Sequence, residues 1–281
     1  MLTFLRRIRK TLIDTGSTRK YLIYAIGEIA LVVIGIMIAL QINNWNDGRR
    51  EQLRIKTYLS NLIEAINDDI AYLDYTQSGN SFRSECIRSL LLVSTGKSPK
   101  SIPELKYILD SEFEGDSVST EWDNVWRGPF PSSYDRRFTE ICFERTSYGN
   151  IIVVNQSALE EFKNTGLFSY IKNEDLKKQI NDYYTIMDWH FSDWREAKYR
   201  GEIDEWEDFL RDEFQINFSD LSQVDDPIDL IKRNRILQLE MEELALDAAG
   251  RANSAGDAKK VAKELIKLIS AEIIIMKKST G

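Results

Sequence analysis

The pattern of apolar and polar positions divides the chain into two parts that meet near residue 42. From Tyr21 to Ile42 the sequence is YLIYAIGEIALVVIGIMIALQI, and Glu28 is its only charged residue. As a helix, this stretch rises about 33 Å, which is enough to cross the hydrocarbon core of a bilayer. The pattern therefore predicts a transmembrane helix over residues 21–42, followed by a region in which apolar residues recur at helical spacing.

The charges that precede the apolar run predict the orientation of the helix. Within residues 1–20 the only acidic side chain is Asp14. The basic side chains of the same segment are Arg6, Arg7, Arg9, Lys10, Arg19 and Lys20. Because basic residues are retained on the cytoplasmic side of a membrane, we expect residues 1–20 to form a basic cytoplasmic tail and residues 43–281 to be exported.

Basic residues after the apolar run and the possibility of a cleavable signal peptide are the two arguments against this topology. Arg49 and Arg50 follow the apolar run and oppose the assignment, but Asp47 and Glu51 flank them and the N-terminal basic cluster is larger. A cleavable signal peptide is the rival interpretation. Such peptides have a shorter apolar core, and no A-x-A-like cleavage site closes this one. The sequence therefore favours a signal anchor.

One side of the predicted membrane helix combines a carboxylate with small residues. Helical spacing places Glu28, Leu31, Gly35 and Ala39 on one stripe, with Gly27 beside them. Small residues spaced at four let a second helix approach closely. A carboxylate in the bilayer costs about 3 kcal/mol unless it is protonated, wetted or paired. We interpret this set, the Glu28 stripe, as a packing or partner-contact face; the alternative is that Glu28 extends to the cytoplasmic interface and the small residues are incidental.

The residues that follow the apolar run are typical of a membrane surface. Asn43, Asn44 and Asn46 surround Trp45. Tryptophan concentrates at the headgroup level because its ring is amphipathic. We therefore predict that Trp45 is the anchor at the outer membrane interface.

Residues 43–281 have the pattern of an all-α bundle. The first apolar series, in which Asp69 occupies the missing step, is Ile55, Leu59, Leu62, Ile66 and Leu73. An ordinary bundle helix fits this series, with a short coiled coil as the alternative. We expect this helix to end at Gly79-Asn80, the run Leu90–Val93 to be buried, and the last two helices to be separated by Gly250 and Gly256. The predicted fold class is a transmembrane helix that continues into one exported helical bundle.

An irregular segment at about residues 112–137 is unusually rich in aromatic side chains. Glycine, proline and serine interrupt any regular pattern there. The aromatic residues are Trp122, Trp126, Phe130 and Tyr134. Aromatic residues on a loop can bind a ligand or a partner. The alternative is a lid that packs on the bundle.

The chain has two cysteines, Cys86 and Cys142. Both lie in the part predicted to be exported, where thiols are oxidised, so a disulfide between two helices is one prediction. Its formation requires a Cα–Cα distance below about 7 Å, which a sequence does not supply. Two separate buried thiols are the alternative.

The single histidine, His190, excludes sites that need several imidazoles. Together with Asp188, Asp193 and Glu196 it could in principle bind a metal. Acidic helix faces are usually solvated, however, and we predict neither a metal nor a cofactor.

Composition and motifs narrow the function further. The chain is 43% hydrophobic and 29% charged, with a net charge of −8, which excludes a disordered chain. An isoelectric point near 5.0 argues against a nucleic-acid-binding surface, which needs a basic stripe. The sequence lacks a P-loop, a dinucleotide fingerprint, G-x-S-x-G, H-E-x-x-H and C-x-x-C. We therefore do not expect an enzyme.

Two stretches of the sequence carry a family resemblance. YAIGEIALVVIGIMIALQINNWND, at Tyr24–Asp47, and ALEEFKNTGLFSYIKNEDLKKQINDYY, at Ala158–Tyr184, resemble an uncharacterised family of single-pass membrane proteins common in Bacteroidota, domain-of-unknown-function family 6090. The resemblance implies a bacterial inner-membrane anchor and a periplasmic helical domain. The family has no established activity to transfer to any residue.

These features predict a membrane-anchored interaction module that contacts the lipid bilayer and a partner. The partner is another membrane or periplasmic protein, or a second copy of the chain. A tail of about 20 residues is too short to fold into an output domain, so we expect any signal to pass to another protein. The alternative is a periplasmic sensor whose aromatic loop closes over a small ligand, and an enzyme of unknown type is third.

Overall fold

A computed structural model describes residues 18–96, 134–149, 151–217 and 224–280. Its α-helices are α1 (Thr18–Thr95), α2 (Arg136–Glu144), α3 (Ser157–Asn164), α4 (Glu174–Phe191), α5 (Asp193–Phe214), α6 (Pro227–Arg233) and α7 (Arg235–Thr280). Short 3-10 helices cover Arg145–Ser147 and Leu167–Tyr170. No β-strand occurs in these ranges, so the predicted all-α class is confirmed.

The chain divides into two compact units. One consists of the described residues of Met1–Thr57 and of Met276–Gly281, and the other is Tyr58–Ile275. In the first unit, no described α1 side chain from residue 25 to residue 54 is buried. The second unit contains the hydrophobic core.

The apolar series of α1 is buried, as its spacing predicts. Its buried members are Ile55, Leu59, Leu62, Ile66 and Leu73. Asp69, at the missing step, is also buried. The predicted burial of Leu90–Val93 is right for Leu90 and Leu91, whereas Leu92 and Val93 are exposed. Four consecutive helical residues point in different directions, so only some of them can face one core.

The predicted end of the first helix at Gly79-Asn80 is wrong, because α1 continues to Thr95. The Asn80 side chain donates to the Thr76 carbonyl at 3.0 Å and accepts from the Tyr199 hydroxyl at 2.8 Å. Asparagine ends helices when its side chain bonds to local backbone outside the helix. Here the same side chain is bonded inside the helix and across the core, so the helix continues.

The predicted break at Gly250 and Gly256 is also wrong, because α7 passes through both residues. A Cβ atom at Gly256 would lie 2.6 Å from the Gln77 Nε2 atom, so glycine here permits close contact between α7 and α1. The buried small residues of α7 are Ala245, Ala248, Ala249, Ala252, Ala255, Ala258 and Ala262. These residues form a narrow face against which another helix can pack closely.

Within the second unit, α1 and α7 run antiparallel. The Ser84 hydroxyl donates to the Ala245 carbonyl at 2.8 Å, and Lys259 Nζ lies 2.6 Å from an oxygen of Asp74. Residue numbers fall along α1 as they rise along α7 between these two contacts. The two long helices therefore form the frame on which the shorter helices pack.

Side-chain caps begin three of the shorter helices. Asp135 accepts from the Phe138 N–H at 2.8 Å, Asn173 from the Leu176 N–H at 3.1 Å and Asp226 from the Ile228 N–H at 2.9 Å. Each cap satisfies an amide that has no partner within its helix. These local bonds set the start of α2, α4 and α6.

Candidate functional site

The described side chains of the apolar run of α1 are exposed, except Ala25 and Glu28, which are half-exposed. The exposed large apolar side chains are Leu22, Ile23, Ile26, Ile29, Leu31, Val32, Val33, Ile34, Ile36, Met37, Ile38, Leu40 and Ile42. Among the described residues, α1 is the one helix long and apolar enough to cross a membrane, and none of its apolar window is buried. Large continuous apolar surfaces on proteins mark contact with another protein or with lipid.

The Glu28 stripe lies within this exposed surface. Leu31 is 74% exposed, and a Cβ atom added at Gly27 or at Gly35 would have no neighbour within 4 Å. Ala39 is exposed and Glu28 is half-exposed. Space for a second helix is therefore open along the stripe, while its predicted role as a contact face stays a prediction.

Polar contacts begin directly after the apolar run. The Asn43 side chain donates to an Asp47 carboxylate oxygen at 3.0 Å. The Trp45 ring is exposed, and the Arg49 guanidinium carbon lies 6.0 Å from its centroid. An indole beside a cation suits a headgroup layer. The anchoring role of Trp45 also stays a prediction.

The predicted aromatic loop lies largely outside the described residues. This applies to Trp122, Trp126 and Phe130. Tyr134 is described, and it is 52% exposed just before α2. The ligand-binding and lid interpretations of this loop therefore both stay open.

Cys86 and Cys142 are free thiols, and both are fully buried. They lie on α1 and α2 and belong to one hydrophobic cluster, in which Phe82, Phe138 and Phe143 are also buried. Burial, followed by the neighbouring Cys142 side chain, raises the pKa of the Cys86 thiol. The two sulfur atoms are not bonded to each other in the structure, and the predicted disulfide stays a prediction.

Of the acidic residues near His190, Glu196 has its own buried partners. Glu196 is buried and accepts from Arg251 and from the Ile152 N–H at 3.0 Å. Burial, then the charge of Arg195, lowers the pKa of His190. In the described part of the chain, no group of three or more histidine, cysteine or acidic side chains is placed to hold a metal ion.

The ion pair between Glu196 and Arg251 joins α5 to α7. Arg251 Nη2 lies 2.9 Å from Glu196 Oε1 and 2.7 Å from Oε2, and the side chains of Arg251 and Glu196 are only 9% and 5% exposed. The guanidinium carbon also lies 3.9 Å from the centroid of the Tyr199 ring. The Ile152 N–H and the arginine share the carboxylate, so this pair fixes the otherwise irregular segment before α3.

A second buried cation, Arg83 of α1, was not predicted from the sequence. It is 1% exposed and donates through Nε and Nη2 to the Thr146 carbonyl at 3.1 and 2.8 Å, and through Nη1 to the Tyr199 hydroxyl at 3.2 Å. The Trp206 indole N–H donates to the Thr146 hydroxyl at 3.0 Å. These bonds tie α1, the 3-10 turn after α2, and α5. A lone charge in an amphipathic helix gives no signal that separates such a residue from a solvated one.

A third buried group is the carboxyl of Asp69. The Tyr183 hydroxyl of α4 donates to Asp69 Oδ2 at 2.8 Å. Burial raises the pKa of Asp69 to about 6, against the lowering effect of the Tyr183 hydrogen bond. The interruption of the apolar series by an acid was the sequence signal for this contact.

The junction between α4 and α5 carries an exposed aromatic surface. Trp189 and Trp194 are each 65% exposed, and the Arg195 guanidinium carbon lies 5.2 and 5.1 Å from their ring centroids. Tryptophan and arginine, together with tyrosine, are enriched among the few residues that carry most of the binding energy of protein interfaces. This Trp-Arg-Trp surface, absent from the sequence predictions, can offer flat apolar contact together with a positive charge.

Comparison with known proteins adds one finding. A family of unknown function (DUF6090) matches residues 28–82, which are 55 of the 281 residues. No curated protein and no solved structure matches the chain. The matched span begins at Glu28, includes Gly35, Ala39 and Trp45, and ends at Phe82, before the second motif at Ala158–Tyr184. The chain is therefore similar to this uncharacterised family over the apolar run and the first part of the bundle helix.

Proposed function

We propose that this chain is a single-pass membrane protein of the bacterial inner membrane and serves as an interaction module. Its N-terminus is cytoplasmic, residues 21–42 cross the membrane, and the helical domain is periplasmic. The apolar segment packs through the Glu28 stripe against a second transmembrane helix. The observation that carries this proposal is the exposure of the apolar run, in contrast to the buried core of the second unit.

Lipid explains this exposure best. Burying an apolar side chain of this size is worth about 1.5–3 kcal/mol, so a dozen of them exposed to water would carry a large penalty. An α-helix satisfies its backbone hydrogen bonds internally and can lie in hydrocarbon without further partners. The change to polar contacts at Asn43 and Asp47 then marks the end of the segment in lipid.

The composition of the Glu28 stripe suits contact with a second transmembrane helix. Association of helices in lipid depends on close packing, because lipid is as apolar as leucine and burial supplies no driving force. Open space beside Gly27 and Gly35 permits such an approach. A carboxylate at Glu28 adds a polar group that a partner helix can hydrogen-bond, which offsets part of its cost in the bilayer.

Two matched variants test the stripe. Ala39 and Ala30 lie nine residues apart, about two and a half turns, so they point to opposite sides of α1. Both are exposed. We expect Ala39→Ile to reduce crosslinked assemblies of the full-length chain in native membranes at least fivefold, and Ala30→Ile to leave them unchanged. Mass spectrometry of the captured species distinguishes a second copy from another protein.

Glu28→Leu measures the contribution of the carboxylate separately. The proposal expects this variant to lose a partner that the unmodified chain retains. Equal capture by the unmodified chain, Ala39→Ile and Glu28→Leu would remove the stripe from the function and leave only the anchor.

The Trp-Arg-Trp surface is the contact face we assign to the second unit. Trp194→Ser should weaken capture of an exported partner without changing assembly through α1. Tyr170→Ser is the control, because Tyr170 is an exposed aromatic residue outside this surface. If the two variants capture equally, the surface is not a contact.

A further inference from the structure

The two buried cysteines, Cys86 and Cys142, take no part in the proposed function. We propose that Cys86 and Cys142 form an intramolecular disulfide by exchange with an external disulfide, and that this bond locks α1 to α2. The pairing follows from the packing of these two helices, and its oxidant in the cell rests on the exported location in the proposed function. In an exported domain, the oxidising compartment supplies the external disulfide.

Hydrogen bonds outside the thiols fix their register. Arg83 of α1 bonds the Thr146 carbonyl in the turn that follows α2. Cys86 lies three residues after Arg83, and Cys142 lies four residues before Thr146. Each step is about one helical turn. The bonded arginine therefore holds the two helices together about one turn from each cysteine, and both cysteines belong to the same buried cluster.

The surroundings favour pairing over other thiol reactions. Both thiols are fully buried in one apolar cluster, and the chain has no third cysteine. Larger reagents have no access to either sulfur in the closed core. Each thiol thus has the other as its one thiol partner within the chain.

The exchange has two steps. The thiolate of one cysteine attacks a sulfur of the external disulfide and forms a mixed disulfide, releasing one thiolate. The second cysteine then attacks its partner's sulfur in this mixed disulfide, forms the Cys86–Cys142 bond and releases the second thiolate. The two cysteines lose two electrons and two protons in total, and the external disulfide is reduced to two thiols.

Burial determines when this reaction occurs. Burial raises the pKa of the Cys86 thiol, so the folded core holds little of the reactive thiolate. We therefore expect fast oxidation while the core is open, as during refolding, and slow oxidation of the folded chain. Once formed, the bond is protected from reductants by the same burial.

The test uses the full-length chain in detergent. The chain is unfolded and reduced, refolded with reduced and oxidised glutathione, and quenched by alkylation. We expect a crosslinked Cys86–Cys142 peptide in most molecules by mass spectrometry. The bond closes a loop between residues 56 positions apart, so the oxidised chain should melt roughly 10 °C above the reduced chain.

Cys86→Ala and Cys142→Ala are the matched controls. Each should lack the crosslinked peptide, and its melting temperature should not respond to the oxidant. Chain that has never been unfolded, incubated with oxidised dithiothreitol in mild denaturant, gives a second route that needs no refolding. Two alkylated thiols, or two separate glutathione adducts, by both routes would overturn the proposal.

Discussion

The two halves of α1 share one helical backbone and differ in what surrounds their side chains. From residue 25 to residue 42 every described side chain is exposed or half-exposed, whereas Leu59, Leu62, Ile66 and Leu73 are completely buried. The first stretch is apolar on all sides, and the second is apolar on one. A helix that is apolar on one face buries that face in the core of its own protein. A helix that is apolar on all sides needs apolar surroundings on all sides.

Two glycines, one in the apolar run of α1 and one in the buried part of α7, differ in the same way. Gly35 has open space where a side chain would be, whereas Gly256 of α7 fits against Gln77 of α1. One glycine has already been used for close packing within the chain. Gly35 instead leaves a surface that a second molecule can approach, so the Glu28 stripe is the more informative feature about partners.

The largest expected effect is loss of the membrane-bound state. Val33→Lys combined with Met37→Lys places two charges on one side of the apolar run, each at a cost of about 3 kcal/mol near the bilayer centre. We expect the double variant to leave the membrane fraction after alkaline extraction. Leu53→Lys is the control, since Leu53 is exposed beyond the apolar run. A double variant that stays in the membrane fraction would contradict the assignment of the apolar run of α1 to lipid.

The next largest expected effect is a loss of stability in the core of the second unit. Arg251→Met leaves the Glu196 carboxylate buried without its cation, which should lower the free energy of unfolding by about 3–5 kcal/mol. Chemical denaturation of the full-length chain in detergent measures this. Arg233→Met is the control, because its ion pair with Asp229 is exposed and should be worth less than about 1 kcal/mol. Equal losses would mean that the buried pair is not a core contact.

The pH dependence of stability should follow Asp69. Its folded pKa of about 6 lies above the ordinary value of 3.8, so the folded chain binds the proton more tightly than the unfolded chain. This carboxyl therefore destabilises the fold increasingly as pH rises from about 4 to 6, by up to about 3 kcal/mol above pH 6. Asp69→Asn should gain that much at pH 7.5 and almost nothing at pH 4.

The neighbouring Asp68 supplies the control for this prediction. Asp68 is exposed, so Asp68→Asn should have nearly the same stability as the unmodified chain at both pH values. The asparagine at position 69 can still accept from the Tyr183 hydroxyl. A gain for Asp69→Asn that does not change with pH would show that the carboxyl is not the titrating group.

The smallest expected effects on stability come from substituting two glycines of α7. Gly250→Ala adds a side chain in open space and should stabilise the chain by about 0.5–1 kcal/mol through helix propensity. Gly256→Ala pushes against Gln77 and should lose about 1 kcal/mol. Unfolding curves of the two variants measure the difference. Adding Gln77→Ala should restore the stability of Gly256→Ala if that contact is the cause.

Features encoded in short stretches were predictable from the sequence. The apolar run, the all-α class and the buried series of α1 depend on composition and on spacing within a few turns. The helix breaks at Gly79-Asn80, Gly250 and Gly256 were predicted wrongly for a physical reason. Asn80 and Gly256 contact distant parts of the chain, Tyr199 and Gln77, and these contacts outweigh the local preference against a helix. Gly250 lies in open space, where its cost of about 1 kcal/mol is too small to break the long helix α7.

The candidate sites also divide into those formed by neighbouring residues and those formed by residues far apart in the sequence. The Glu28 stripe is readable because its members are helical neighbours. The Glu196 ion pair joins residues 55 positions apart and the Arg83 bonds join residues 63 and 116 apart. No local pattern marks an acid or an arginine as buried when its partner lies in another helix. The contact between Cys86 and Cys142 is of the same kind.

The most direct test of the central claim is the location of the C-terminus of the full-length chain in intact cells. Alkaline phosphatase, which is active only outside the cytoplasm, is fused to the C-terminus, and a fluorescent protein that matures only inside is fused there in a parallel strain. We predict an active phosphatase, no fluorescence, and recovery of the chain in the membrane fraction. A fluorescent, phosphatase-inactive C-terminus, or a chain recovered outside the membrane fraction, would contradict an anchored and exported helical module.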